Sequence, residues 1–248
     1  MTFETFFGHD IDFSKAATMF SIHHLIYAIC AVFAIILATI FGQKIKSWTH
    51  EKHLKKFLLV LLIVLEVSYH IHNFTYPRFS LPLHICSFAL FMNVALLLTD
   101  SKEVFRYAFF FGTLGGFMAL FFPNSYGYTY LNFRYYHFMI LHTVIIFIPL
   151  YYYRAYEYRI EYHDVLEIYR NVFILAVFIY IINLVLRTFG IDANYWFISV
   201  VPENVDAIFT NYHLYVFAHL SAVFLSMNIL YFLTHYLPKW THPYIIEI

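Results

Sequence analysis

About seven runs of some 20 predominantly apolar residues, joined by short polar connections, leave this chain few folds to choose from. A bilayer's hydrocarbon core is about 30 Å thick and a helix rises about 1.5 Å per residue, so about 20 apolar residues cross it. Windows of that length place spans near residues 18–42, 55–76, 81–99, 107–122, 135–153, 171–189 and 213–236, the fourth being short. Helices are required, because backbone N–H and C=O groups in lipid have to be bonded within their own segment. Composition excludes a soluble reading: 62% of residues are hydrophobic and 12% charged, against about 25% charged in an ordinary soluble domain. The expected fold is all-α, a polytopic membrane helix bundle of about seven transmembrane helices, with residues 1–248 forming a single integral membrane domain. The sequence contains no internal repeat or Gly/Ser linker.

Charge narrows the partners. The formal net charge is zero, so the basic stripe of a nucleic-acid binder is missing and no nucleic-acid partner is expected. Cys30 and Cys86 fall inside spans with no spacing motif, which predicts neither a disulfide framework nor a zinc knuckle. Acidic and aromatic residues precede the first apolar run, whereas a signal peptide begins with a basic stretch, so the first span is expected to be retained. Lysine and arginine favour the cytoplasmic side. Eleven of them (Lys44, Lys46, Lys52, Lys55, Lys56, Lys102, Arg106, Arg154, Arg159, Arg170 and Lys239) fall on one side of the expected topology, and four (Lys15, Arg78, Arg134 and Arg187) on the other. That asymmetry predicts the N-terminus outside and the C-terminus inside, in a multi-pass protein expected in the plasma membrane.

Ionisable residues inside spans are costly and mark functional candidates. Counted inward from the outer end of each span, His23, His24, Glu66, His70, His72, His84, Cys86, His137, His142, Asn183, Arg187 and His219 all lie within about ten residues, or about 15 Å. The inner half is nearly all aliphatic and Phe, with Asn93 and Asn228 as deeper exceptions. Histidines at such a depth often only bond a neighbouring carbonyl. His23 with His24, and His70 with His72, diverge around their helices and cannot all face inward. Glu66 and His70, four apart, share a face, so the carboxylate can fix the imidazole's tautomer.

The layer offers three kinds of chemistry. Cys86, five residues into its span and two after His84, is a nucleophile if a base or cation activates it. Of His142, His137, His84 and His70, the best match by depth is His142, seven residues into its span. An acyl ester of an outer-leaflet lipid would lie at this level. Zinc held by several histidines and Glu66 is the second chemistry, but no ligand pair of His-Glu-x-x-His type is present, so no metal is assigned. A proton or substrate path through a transporter is the third. The outer loop 191–212 is rich in aromatics and fits either an interfacial belt or a lid over the layer.

LPLHIC at 81–86, GTLGGFMALFFPNSYG at 112–127, YYHFMILHT at 135–143 and NYWFISVVPEN at 194–204, in this order and spacing, resemble the YwaF-like integral membrane family. That family is similar to the transmembrane-protein-164 acyltransferases and, more remotely, to the androgen-induced-gene hydrolases. The resemblance spans most of residues 15–236. It implies Cys86 as nucleophile and His142, which begins a His-Thr step, as its histidine. Members often carry an acid just after the cysteine, where this chain has Ser87. On this basis the expected activity is that of a lipid acyltransferase or transacylase passing through an acyl-thioester. It would use a phospholipid donor, an unknown lipid or lipoprotein acceptor and no cofactor. Glu66, His70, His84, His137 and Asn93 are supporting candidates, and Asn194, Tyr195 and Arg187 are candidate substrate-binding residues. The alternatives are a transporter or lipid-binding membrane protein without covalent catalysis, and a zinc-dependent lipid hydrolase.

Overall fold

A computed structural model describes residues 3–9, 20–74, 80–121, 127–202 and 205–241, with side chains to residue 236. The expected span ends at 18–19 and 75–76 lie outside these residues, as do Lys15, Arg78, the Lys239 side chain, 122–126 of the Gly-rich stretch and Glu203 and Asn204. The described residues form α1 (Phe3–Phe7), α2 (Ile22–Lys46), α3 (Glu51–Phe74), α4 (Ile85–Thr99), α5 (Lys102–Phe121), α6 (Phe133–Ala155), α7 (Tyr162–Thr188) and α8 (Tyr212–Thr241), with a 3-10 turn at Tyr195–Phe197. No strand occurs among the described residues, as the all-α expectation requires. The seven expected spans correspond to α2 to α8. Six of these are long and apolar enough to cross a membrane.

The exception is α4, not the fourth span. It has 15 residues, about 22 Å at 1.5 Å per residue, too short for the hydrocarbon core. The expected start at 81 is overturned by Pro82, which disfavours helical backbone at Leu81 and has no N–H to donate. The segment before α4 stays non-helical, and His84 is still extended (φ −71°, ψ 154°) at the helix N-cap.

Two compact units divide the chain, Met1–Tyr158 and Arg159–Ile248. In the first, α6 is the axis. Of the side chains in its apolar window 67% are buried, against 17% in α2 and 22% in α3, so those two form outer walls. Ile26, Ile29, Phe33 and Ile40 of α2 and Val60, Ile63 and Val67 of α3 face outward. A continuous apolar exterior of this kind suits lipid and would be a liability in water. Helix α6 packs against α2 and α5, α5 packs against α4, and α3 touches both α4 and α6. In the second unit α7 packs against α8 and the 3-10 turn.

Close approach of backbones holds the first unit together, as is usual where lipid supplies no hydrophobic drive between helices. A Cβ at Gly112 would overlap the Ile145 carbonyl of α6, and one at Gly116 would overlap the Ile146 side chain and lie 3.1 Å from the His142 carbonyl oxygen. Where α3 and α5 begin and α4 and α6 end, a polar network closes the bundle. The Asp100 carboxylate accepts from Lys55 and the Tyr152 hydroxyl, and the Tyr158 hydroxyl donates to the Asp100 carbonyl. Tyr151 and Tyr156 both donate to Glu51 at 3.0 Å. Sequence reading treated this half as apolar, and these tyrosines, in YYYRAYEY, went unassigned. Burial, together with the Glu51 and Asp100 carboxylates, pushes the Tyr156 hydroxyl well above its ordinary value, and burial with Asp100 does the same to Tyr158.

Two outcomes follow. Gly112→Ala and Gly116→Ala each lower stability by about 1–3 kcal/mol through overpacking, read as a fall in thermal midpoint in detergent. Folding favours the neutral form of Tyr156 and Tyr158, so their contribution is complete below the unfolded tyrosine value of about 10 and is lost as pH rises through the higher folded values. An alkaline titration of the midpoint should therefore fall from about pH 10 upward, and less steeply in Tyr156→Phe. A flat profile in the parent protein would refute this.

Candidate active site

At the opposite end of the first unit α2, α4 and α6 begin and α3 and α5 end, and here the expected polar residues gather. Cys86 is the second residue of α4, in its first turn, rather than five residues in. The N–H groups of Cys86 and Ser87 and the Ser87 side chain reach its sulfur. The first turn of a helix carries unbonded N–H groups and the positive end of the peptide dipoles, surroundings suited to an oxyanion. Cys86 is half-buried, whereas Cys30 is exposed on the outer wall of α2.

His142 is the tenth residue of α6, not seven in, and is buried. Its Nδ1–H donates to the Phe138 carbonyl at 2.6 Å, which in the neutral ring leaves the Nε2 lone pair available to a proton. Counted from helix starts, Cys86 and His142 no longer match in depth. Helix α5 runs past both: a Cβ at Gly115 would sit 3.0 Å from the side chain of Ile85, the residue before Cys86, and one at the adjacent Gly116 would lie 3.1 Å from the His142 carbonyl oxygen.

The supporting residues divide by what they bond. His70 Nε2 donates to Glu66 at 3.1 Å, the contact expected from their spacing, and the Glu66 carboxylate is close enough for its charge to act on the Cys86 thiol. His137 donates from Nε2 to the Leu65 carbonyl at 2.9 Å and stacks on Tyr69 at 5.5 Å. That bond ties α6 to α3, as His24, donating to the Leu120 carbonyl at 2.7 Å, ties α2 to α5. Asn93 donates to the Ala89 and Ile145 carbonyls at 2.8 and 3.3 Å, and its Oδ1 is buried without a hydrogen-bond partner. His84 is the N-cap of α4, with no cap bond from its side chain. Of the remaining histidines of the layer, His23 stacks on Tyr130 at 3.8 Å and His72 lies 4.2 Å from the His9 ring.

In the second unit the three expected substrate-binding residues hold their own loop. Arg187 donates to Asp192 at 2.7 Å. Asn194 Oδ1 accepts from the N–H groups of Ser199 and Val200 at 3.1 and 3.2 Å. Tyr195 exchanges two 2.9 Å bonds with Asn183, which accounts for a buried amide inside α7. Among the described residues, the cluster able to present three ligand atoms to one metal ion is His163, Asp164 and Glu167 at the start of α7, not the histidine layer.

Sequence reading used Arg134 only as a topology marker. It is the second residue of α6, its guanidinium carbon stands 4.0 Å from the centre of the Tyr69 ring, and its charge reaches His137. A basic residue one turn before His137 in NFRYYHF is the signal that would have found it.

A half-buried thiol in a helix's first turn and a buried imidazole with one nitrogen open, both within a lipid-facing helical bundle, define a polytopic membrane protein with a candidate nucleophile–base site. The profile of the TMEM164 family matches residues 19–233, so the chain belongs to that family. No curated protein and no solved structure matches it.

The hydrogen-bond partners separate histidines that tie two helices together, His24 and His137, from His142, which is bonded within its own helix. His24→Ala breaks a buried tie between two helices and strands a carbonyl, at a cost of about 1–3 kcal/mol. His142→Ala removes a bond made within one helix and is expected to cost less. Thermal unfolding of the two variants in parallel checks this, and equal losses would contradict the division.

Proposed function

We propose that this protein is a membrane-embedded lipid acyltransferase or transacylase, with Cys86 as nucleophile and His142 as general base. What supports this reading is that one helix, α5, runs past both candidates, its consecutive residues Gly115 and Gly116 lying against Ile85 and the His142 carbonyl. His142 Nε2 takes the thiol proton, and the sulfur attacks the ester carbonyl of a phospholipid. The first-turn N–H groups of α4 bond the oxyanion as it forms. Collapse breaks the ester C–O bond, the lysolipid oxygen leaves with the proton from His142, and an acyl-thioester remains on Cys86. A lipid or lipoprotein acceptor then loses a proton to His142 and takes the acyl group, and the proton returns to the thiol. No cofactor is used.

Glu66 paired with His70, together with His84, His137 and Asn93, shapes and polarises the pocket, and Ser87 orients the thiol where relatives carry an acid. Arg187, Asn194 and Tyr195 are the second unit's candidates for meeting substrate. We further infer kinship with YwaF-like proteins and, remotely, with androgen-induced-gene hydrolases. The protein is read as a plasma-membrane protein with its N-terminus outside, so that the site faces the outer leaflet.

Intact mass spectrometry after incubation with a defined phospholipid tests this. An acyl-sized adduct is expected on the parent protein and not on Cys86→Ser, and it should form about 10²–10⁴-fold more slowly on His142→Ala. If folded parent protein gains no adduct, or gains it equally without Cys86, the covalent scheme fails and a transporter or lipid carrier takes its place.

A further inference from the structure

Arg134 carries two buried donors, Nε and Nη1, for which the protein supplies no acceptor among the described residues. A guanidinium never deprotonates under ordinary conditions, and burying its N–H groups without acceptors is costly. Tyr69 holds one face of the group, a contact that fixes its plane but accepts none of its N–H bonds. The titratable group near it on α6, His137, has its Nε2 committed to Leu65 and stacks on the same Tyr69 ring. Glu66, the neighbouring acid on α3, is engaged with His70. An oriented cation is thus left with two unpaired donors on the outer side of the layer that holds Cys86 and His142.

We propose that Arg134 is the anchor for the phosphodiester of the lipid substrate. This rests on the acyl-transfer reading above, and it names the feature by which that site selects its donor. A guanidinium is suited to this ligand because its planar fork of N–H groups matches phosphate oxygens. Depth agrees as well. Arg134 lies eight residues before His142 on α6, about 12 Å nearer the helix start. A phosphate bonded at the guanidinium therefore sits toward the membrane surface, with the glycerol esters reaching down toward the Cys86 level. The same chemistry in free inorganic phosphate would lack the acyl chains that the apolar walls accept.

Binding, not turnover, is the test. Purified protein is titrated in detergent with a dialkyl ether phospholipid, which has no ester to cleave, and with the matching dialkylglycerol, which has no phosphate. Bound lipid is counted by native mass spectrometry. The parent protein and Cys86→Ser are both expected to prefer the phospholipid at least about tenfold, while Arg134→Gln loses that preference and binds dialkylglycerol as before. Should Arg134→Gln fail to fold, Arg134→Lys, which keeps the charge but not the planar fork, is expected to show a reduced preference. Lack of phospholipid preference in the parent protein, or its survival in a folded Arg134→Gln, overturns the proposal. Displacement of the phospholipid by an equal concentration of inorganic phosphate overturns it in favour of a free-phosphate site. Because Cys86→Ser is measured alongside, a failure of the covalent scheme leaves this result readable: a lipid carrier with no thiol chemistry would still need Arg134, or still ignore it.

Discussion

The Ile145 carbonyl occupies the space that any side chain at position 112 would need, and the His142 carbonyl closes on position 116 in the same way. In lipid, helices gain little from burying apolar surface against one another, and dispersion between closely opposed backbones has to do more of the work. Helix α5 can therefore lie against α6 only along a glycine face, which fixes its rotation and its height together. Since α4 packs on α5, the height of α4 follows. The relative depth of α4 and α6 is set in part by where glycines fall in GTLGG on the helix packed against both, and in part by their direct bonds, Asn93 to the Ile145 carbonyl and Tyr152 to the Leu96 carbonyl.

A second constraint acts through α4 itself. Pro82 keeps the chain extended until His84, so the helix begins late and ends early, at the left-handed Asp100 (φ 51°). At 15 residues it cannot cross the core, and its first turn opens within the bundle rather than at the surface. Non-helical backbone at membrane depth is tolerated where protein or a polar cavity covers it. The N–H groups of Ser87 and Phe88 bond the His84 carbonyl, which leaves those of Ile85 and Cys86 for whatever charge develops beside the thiol. The other end of α4 is held by the opposite device, a carboxylate shared by Lys55 and Tyr152. The same short helix is thus pinned through a side chain at one end and left open at the other.

How much of this could be read in advance depended on the physical range of each signal. Helical class and the Glu66–His70 pair rest on local periodicity, which sequence carries, and six of the seven expected spans appear, with helix ends moved by as much as nine residues at the start of α7. Depth did not transfer as well, because it was counted from hydropathy edges and one proline moved the start of α4 by four residues. Asn183 counts by sequence as one member of the polar layer. Its partner is the Tyr195 backbone twelve residues on, and a contact between a helix and a later loop has no signature in composition. The Asp100 and Glu51 networks were missed for the same reason: tyrosines count as apolar in a hydropathy window, although their hydroxyls define that end of the unit.

Arg134 shows where topology counting and site reading separate. As one of four basic residues on the lean side of the charge balance, it weighs against the cytoplasmic bias and so looked like a minor exception. A basic residue retained against that bias is costly to bury, and a buried guanidinium usually finds a carboxylate. Here the acids within the layer are few, and Glu66 is bonded to His70. The cation is held instead by an aromatic face, which orients it without neutralising it. A charge that no acid among the described residues pairs favours an anionic ligand in that position, and the bundle's apolar exterior favours one that arrives from the bilayer.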